Sequence, residues 1–546
     1  MRLKQLIQFE KENLARQNIS YLLIIFSIFL FSIKCFSQDT EKEKSLNKLQ
    51  KVYNYLDSYY YDSVDYQAIT SAAIISVLKE LDPHSTYLSK EVLETAEESL
   101  KGVFSGVGIQ YFIYKDTVFI ISVTKGGPSE NAGIRAGDRI IKVGEEIAFG
   151  NNINNDFISK MLKGNKDEEV KISIYRKSVD KLIDYTISRN HIKISSLDAC
   201  YIARPNIAYI RINNFAKNTI SEIENGLKEI KEKEDFNSII LDLRGNTGGY
   251  LSTAVDLASE FLDDNQLIVY TEGLNAKRND YKASKNGFLK TGKLIVLIDE
   301  VTASASEIVA GAIQDWDRGL IIGRRTYGKG LVQRPFYLND GSAVRLTTAR
   351  YYTPSGRCIQ KSFDNGSEEY FKDIGKRYAH GEFTNRDSIK MDDSLSYKTI
   401  LNNRTVFGRG GIMPDIFIPY DTNQNNQLYK KLWSNNLFNK YYIYMVDGKD
   451  VYYTYSYNEM DSLLDKNTIL QEFKDYAIKE NIEIDNNLWD TAEKYIYRDL
   501  KSVILKNLFG TVAYYKISNE FQDEFLKSIE VIEKDDFSKF GIIYNK

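Results

Sequence analysis

Three short, nearly uninterrupted apolar runs constrain this chain more than any other feature: 237-NSIILDLRGN-246, 293-KLIVLIDE-300 and 319-GLIIGRR-325. Helical patterns follow the first two, over 250-YLSTAVDLASEFL-262 and 306-SEIVAGAIQDW-316. A strand apolar on both faces must be covered on both faces. Alternation of such strands with helices argues a mostly parallel sheet inside an α/β core. The pattern places this core over 184–420. Beyond 330 it turns strand-rich, in 331-LVQRPFYL-338 and 342-SAVRLTTARYY-352, while 362–405 read as a polar surface excursion. The stretch 408-GRGGIMPDIFIP-419 is expected to close the core.

The chain has 546 residues, and roughly three or four domains of about 100–200 residues are expected. Residues 38–99 read as an N-terminal helical domain, with Leu46, Leu49, Val52, Tyr53 and Leu56 at helical spacing. That pattern stops at 82-DP, because a residue before proline is pushed out of the helical region. The segment 81-LDPHSTYLS-89 is then a turn in which His84 reads as structural. Residues 421–546 read as a helical accessory domain without a chemical motif; Leu500, Val503, Ile504 and Leu508 give one apolar stripe.

The N-terminal run 21-YLLIIFSIFLFSI-33 follows a basic-leaning segment and suits a signal peptide, with cleavage expected after Ser37; a retained signal anchor is the alternative. The expected location is therefore exported, periplasmic or cell-envelope, with membrane contact only through this segment if it stays uncleaved. Two cysteines, Cys200 and Cys358, would remain, and a disulfide between them cannot be read from sequence. The formal charge of −3 gives a nucleic-acid role no electrostatic support, and no zinc-ligand spacing occurs. No metal or cofactor is expected.

Residues 100–183 differ in character. The stretches 103-VFSGVGIQYFI-113 and 118-VFIISV-123 read as strands; 126-GGPSENAGIRAGDRIIKVGEE-146 is rich in Gly and small residues; 155-NDFISKMLKG-164 reads as a helix and 169-EVKISIYRK-177 as a strand. The run Gly-Pro-Ser-x-x-Ala-Gly-Ile-x-x-Gly-Asp-x-Ile resembles a bacterial PDZ domain. That resemblance implies that the loop Gly106, Val107, Gly108, Ile109 offers backbone N–H groups to the carboxylate of a peptide tail, which then adds as a strand. Glycines allow such convergence because no Cβ intervenes.

The chemistry is sought in 301-VTASASEIVAGAIQDW-316. A strand ends near Glu300, small residues turn, and a helix begins near Ala305. Ser304 with Glu307 fits a capping box, which is the plain reading of that serine. A serine at a strand-to-helix turn is also where hydrolases place a nucleophile, with the next N–H, that of Ala305, free to bind an oxyanion. Ser306, inside the helix, is the weaker candidate. The three histidines, His84, His191 and His380, are all remote in sequence. In 326-TYGKGLVQ-333, however, Lys329 sits between two glycines that let the backbone pack closely and hold the amine inward. Burial lowers a lysine pKa, so a neutral amine could accept the serine proton.

Taken together, Thr302-Ala-Ser-Ala-Ser-Glu-Ile, Thr326-Tyr-Gly-Lys-Gly, Gln333, the Leu-Asp-Pro-His-Ser turn and Gly410-Gly411-Ile-x-Pro-Asp resemble the carboxyl-terminal processing peptidases, the tail-specific serine proteases of family S41. The resemblance spans about residues 41–420 and implies a crotonase-like protease core with an inserted PDZ domain. Carried over by position, it makes Ser304 the nucleophile, Lys329 the general base and Gln333 the residue that orients Lys329. A straight strand would hold Lys329 and Gln333 about 13 Å apart, so the chain must bend near Gly330. The loop 241-LDLRGNTGG-249 resembles the family's Arg-Gly-Asn-Pro-Gly-Gly, with Thr247 in place of proline; it implies that Gly248 or Gly249 joins Ala305 in the oxyanion hole. The expected function is an exported serine endopeptidase acting on proteins or peptides with accessible C-terminal tails, with a homo-oligomer or adaptor left open. The alternatives are a catalytically inactive tail-binding scaffold and an acyl-thioester hydrolase or hydratase on the same core.

Overall fold

The computed structural model describes residues 40–284, 287 and 289–542. The expected signal segment and its cleavage point lie outside the described residues. Two compact units divide between Val77 and Leu78. In the first, residues 40–59 are helical and a second helix opens at Tyr66. The Tyr53 hydroxyl donates to Thr70 Oγ1 at 3.0 Å, and the Tyr53 and Tyr66 rings stack at 6.1 Å.

The second unit contains the core sheet. Its strands lie in the order Leu197–Arg204, Asn206–Ile212, Phe236–Asp242, Lys293–Ile298, Leu320–Gly323, Ile416–Phe417. The first pair is antiparallel and every later pair is parallel. Side chains alternate across a strand, so the apolar runs face two cores. Ile239, Leu241, Leu294, Val296 and Ile298 pack under helices Thr219–Lys231, Leu251–Phe261 and Ala305–Asp315. Ile240, Ile295, Leu297 and Ile322 face the other way, against Phe525, Ile529 and Ile532 of the C-terminal helix Asp523–Glu533. Each fully buried aliphatic side chain contributes about 1.5–3 kcal/mol. The chain's own C-terminal region thus covers the second face of the sheet.

A second sheet joins Thr86–Leu88, Ala343–Tyr352, Leu267–Gly273 and Ala276–Lys282, with Leu331–Tyr337 paired to Ala343–Tyr352. The PDZ sheet runs Ile109–Tyr114, Thr117–Val123, Arg139–Val143, Glu169–Arg176, Lys181–Ser188, with Ile109–Tyr114 at its edge. The stretch 103–113, expected as one strand, is two. Val103–Gly106 pairs with Asn190–Lys193, and the chain breaks at Gly108, whose φ is +73°.

One further expectation is amended. The segment 362–405 is not only a surface excursion: helix Ser367–Ala379 buries Tyr370 and Arg377, and Arg377 donates to the carbonyls of Arg325 and Thr326. The tyrosine-rich stretch near 440 is core, with Tyr441 and Tyr442 packed on Phe438 and Phe473. Cys200 and Cys358 are both free thiols, and burial pushes Cys200 up to about 12.

Candidate active site

The turn after strand Lys293–Ile298 is set by Asp299. Its carboxylate accepts from the backbone N–H groups of Gly245 (2.9 Å), Val301 (3.1 Å) and Thr302 (2.9 Å). Ser304 follows at φ 57°, ψ −116°, a conformation a non-glycine residue adopts only under constraint, at a cost of about 1–3 kcal/mol. Asn246 helps to impose it. Its carbonyl accepts from Ala303 N–H at 3.0 Å and from Ser306 Oγ at 3.0 Å, and its side chain reaches Ile212 O and Gly248 N–H. Ser306, fully buried and donating to Asn246, is therefore a structural hydroxyl.

Glu307 ties this turn to the lysine segment. Its buried carboxylate accepts from Ser304 N–H (2.8 Å) and Lys329 N–H (2.9 Å) at one oxygen. At the other it accepts from Gly328 N–H (2.8 Å) and Thr326 Oγ1 (2.5 Å). The expected capping box of Ser304 and Glu307 is present, and its Glu307 half, which accepts from Ser304 N–H, is the one that reaches on to the lysine segment. Burial raises the Glu307 pKa to about 7, against the pull of its four donors. Tyr351 adds a second tie. Its hydroxyl lies 2.6 Å from Lys329 O and 3.0 Å from Ser304 O.

Lys329 and Gln333 meet because the chain bends between them. Gly328 has φ +85°, and the strand Leu331–Tyr337 bulges between Val332 and Gln333. Lys329 Nζ then donates to Gln333 Oε1 at 3.0 Å, while Gln333 Nε2 donates to the carbonyl of His84 at 2.6 Å. The lysine pKa falls to about 8, first through burial and then through the nearby Arg345 guanidinium. His84 is held down at about 4, chiefly by burial, and its Nε2 lies 2.8 Å from the Tyr370 hydroxyl. The turn reading of 81–89 is therefore incomplete: its backbone supports the residue that holds Lys329. Asp82 fixes that turn by accepting from His84 N–H, Ser85 and Thr347. His191 and His380 are exposed elsewhere.

Ser304, Ala305, Lys329, Gln333, Thr247 and Gly249 all border one cavity of about 640 Å³. Its apolar wall includes Leu93, Leu100, Leu251, Ile308, Leu331 and Val332, and Leu93 and Leu100 come from helix Lys90–Lys101, which leads into the PDZ unit. Gly248 packs directly on the nucleophile turn: a Cβ there would lie 2.9 Å from Ser304 Cβ and 3.0 Å from Ala305 N. Its own N–H donates to Asn246 Oδ1 at 2.8 Å. No protein acceptor takes the N–H of Ala305 or Gly249 among the described residues. Sequence reasoning missed the roles of Glu307, Tyr351, Arg345 and the His84 carbonyl. Only Glu307 had a local signal, and that signal also fits a plain helix cap.

Residues 206–366 match Peptidase family S41, 105–187 a PDZ domain, and 428–510 a family of unknown function, DUF8443. A probable CtpA-like serine protease of Staphylococcus aureus (strain N315) is 33% identical over 387 residues, covering 70% of this chain and 76% of the relative. The chain belongs to peptidase family S41. It is a carboxy-terminal processing serine protease with a PDZ domain. The CtpA protease of Bacillus subtilis (strain 168) is 31% identical over 373 residues, covering 66% of this chain and 79% of its own. Among solved structures, a photosystem II D1 C-terminal processing protease is 30% identical, covers 57% of this chain and 83% of its own, and has a TM-score of 0.33.

In this S41 core, Gly248→Ala is expected to displace the Ser304 turn and lower kcat about 10²-fold or more, with little change in KM. Steady-state kinetics on an unfolded polypeptide would check this. A wild-type kcat would show that the turn tolerates the extra methyl.

Proposed function

We propose that this chain is an exported endopeptidase that captures substrate C-terminal tails on its PDZ unit and cleaves them with a Ser304/Lys329 dyad. The single observation that carries the reading is the Glu307 carboxylate, which accepts from both Ser304 and Lys329 and so puts nucleophile and base on one frame. Ser304 Oγ attacks the peptide carbonyl carbon while its proton passes to the neutral amine of Lys329. Oxyanion charge falls on the N–H groups of Ala305 and Gly249, because the Gly248 N–H is committed to Asn246. Collapse of the intermediate breaks the C–N bond, and the leaving amine takes the proton from Lys329. Water, deprotonated by Lys329, then attacks the ester carbon; the acyl–Oγ bond breaks and Ser304 Oγ takes the proton back from Lys329. Gln333 aims Lys329 in each step.

For the tail, support comes from the edge strand Ile109–Tyr114 and from the Gly106–Ile109 loop, where no protein acceptor takes the N–H of Gly108 among the described residues. An added strand would pair with that edge while the loop holds its carboxylate. The test uses one unfolded polypeptide carrying either a free or an amidated C-terminus, together with a serine-directed acylating probe. The free acid should be cut at least about tenfold faster, a difference of about 1.4 kcal/mol, and the probe should label Ser304. Equal rates would remove tail capture, and absence of labelling would remove the nucleophile.

A further inference from the structure

The PDZ hairpin Ile109–Tyr114/Thr117–Val123 is apolar on both faces. Ile109, Tyr111, Ile113, Val118 and Ile120 face the PDZ interior. Phe112, Tyr114, Phe119 and Ile121 face away, and they pack into the core of the C-terminal helices beside residues such as Tyr441, Phe473 and Tyr476. An antiparallel sheet with one face in water would carry polar residues at those positions. Phe119 is only 8% exposed although it lies outside its own domain's core.

Charge surrounds this contact. Arg139, 4.9 Å from the centroid of the Phe119 ring, donates to both oxygens of Asp447 at 3.0 and 2.9 Å. Lys177 reaches the same carboxylate at 2.6 Å, Arg135 pairs with Asp450 at 2.8 Å, and the Tyr114 hydroxyl donates to Glu480 at 2.6 Å. Asp447 caps helix Leu437–Val446. The far side of the C-terminal region is fixed to the catalytic sheet: Glu524 pairs with Arg324 at 2.6 Å and with Arg244 at 3.1 Å, and Phe525 and Ile529 fill the sheet's second face. One helical body therefore grips the PDZ hairpin at one end and the catalytic core at the other.

We propose that the C-terminal helical region, including the segment 428–510 that matches a family of unknown function, is a PDZ-positioning module: it holds the tail-binding edge strand at a fixed place relative to the catalytic cavity. The strand that starts at the Gly106–Ile109 loop ends at Tyr114, inside the gripped cluster. Fixing Tyr114 therefore fixes the direction in which an added tail runs. The consequence for cleavage rests on the tail-capture reading above; the mechanical contact does not.

The experiment compares the full chain with Asp447→Ala, which leaves the PDZ sequence untouched, and with Phe119→Ser. Hydrogen exchange over 109–123 is expected to accelerate about tenfold in both, as local opening becomes easier. Binding of a labelled free-acid peptide should be unchanged in Asp447→Ala. The ratio of kcat/KM for free-acid over amidated substrate should fall at least about fivefold, a loss of roughly 1 kcal/mol of coupling. Unchanged exchange in both variants overturns the proposal, as does faster exchange with an unchanged ratio. If the parent chain itself fails to distinguish free from amidated tails, that failure belongs to the tail-capture reading, and the exchange result alone decides whether the module holds the hairpin.

Discussion

Lys329→Ala should lower kcat/KM at least about 10⁴-fold, and Ser304→Ala should match it, because nucleophile and base act as one unit and their losses are not additive. The double variant should therefore be no worse than either single one. The amine must be neutral to accept a proton. With burial and Arg345 lowering Lys329 to about 8, activity should climb with pH and level off above that value. Stability carries the same signature. Between about 8 and the ordinary 10.5 the unfolded chain keeps a proton that the folded chain has released, so stability rises with pH across that window. Below it, the buried ammonium costs about 3 kcal/mol. Lys329→Met should consequently be inactive yet more stable than the parent near neutral pH. Thermal denaturation at pH 7 and at pH 10 checks this: the gap between the two proteins should shrink at the higher pH. A variant with wild-type cleavage would end the dyad mechanism.

Glu307→Ala is expected to remove activity and much of the stability together. The substitution strands four donors, from Ser304, Thr326, Gly328 and Lys329, in a fully buried site. A buried donor left unmade costs about 1–3 kcal/mol, so a total loss of roughly 3–5 kcal/mol after relaxation, and a fall in Tm on the order of 10 °C, is expected. Glu307→Gln keeps the volume but turns one acceptor into a donor among donors; it should retain more stability while losing at least about 10²-fold in kcat. The pH signs follow from the raised pKa. Between about 4.5 and 7 the folded chain keeps a proton on Glu307 that the unfolded chain loses, so this group's contribution to stability falls as pH rises through that window. Each Glu307 oxygen already accepts two hydrogens, so the frame is complete only with the carboxylate ionised. Below about 7, activity should then fall more steeply than tenfold per pH unit, since Glu307 must ionise and Lys329 must lose its proton. A unit slope throughout, or near-normal activity in Glu307→Ala, would show that this carboxylate does not hold the site.

Much of this was legible along the chain because the signals are local. Apolar runs of strand length imply a covered sheet wherever they occur, and 237–246, 293–300 and 319–325 all became its strands. The Ser304 turn and the Gly-Lys-Gly segment carry their own backbone requirements, visible in small residues and glycines. Given the Lys329–Gln333 contact that the resemblance implies, strand geometry required a bend; the structure supplies it with Gly328 and a bulge at Val332.

What sequence determined, then, was the set of elements and the chemical groups placed at their ends, since periodicity and turn chemistry act over a few residues. What only the tertiary structure decided was which distant groups set their charge and aim. Glu307 reads equally well as a helix cap until Lys329 N–H is found 2.9 Å from it, and nothing in 81-LDPHST-86 announces that the His84 carbonyl receives Gln333. The stretch near 440 is rich in Tyr and Lys, which say little about burial until partner surfaces are present; the other C-terminal helices and the PDZ hairpin supply them. Hydrogen bonds and desolvation across long sequence separations leave no local pattern, because each depends on which surfaces meet once the chain has folded.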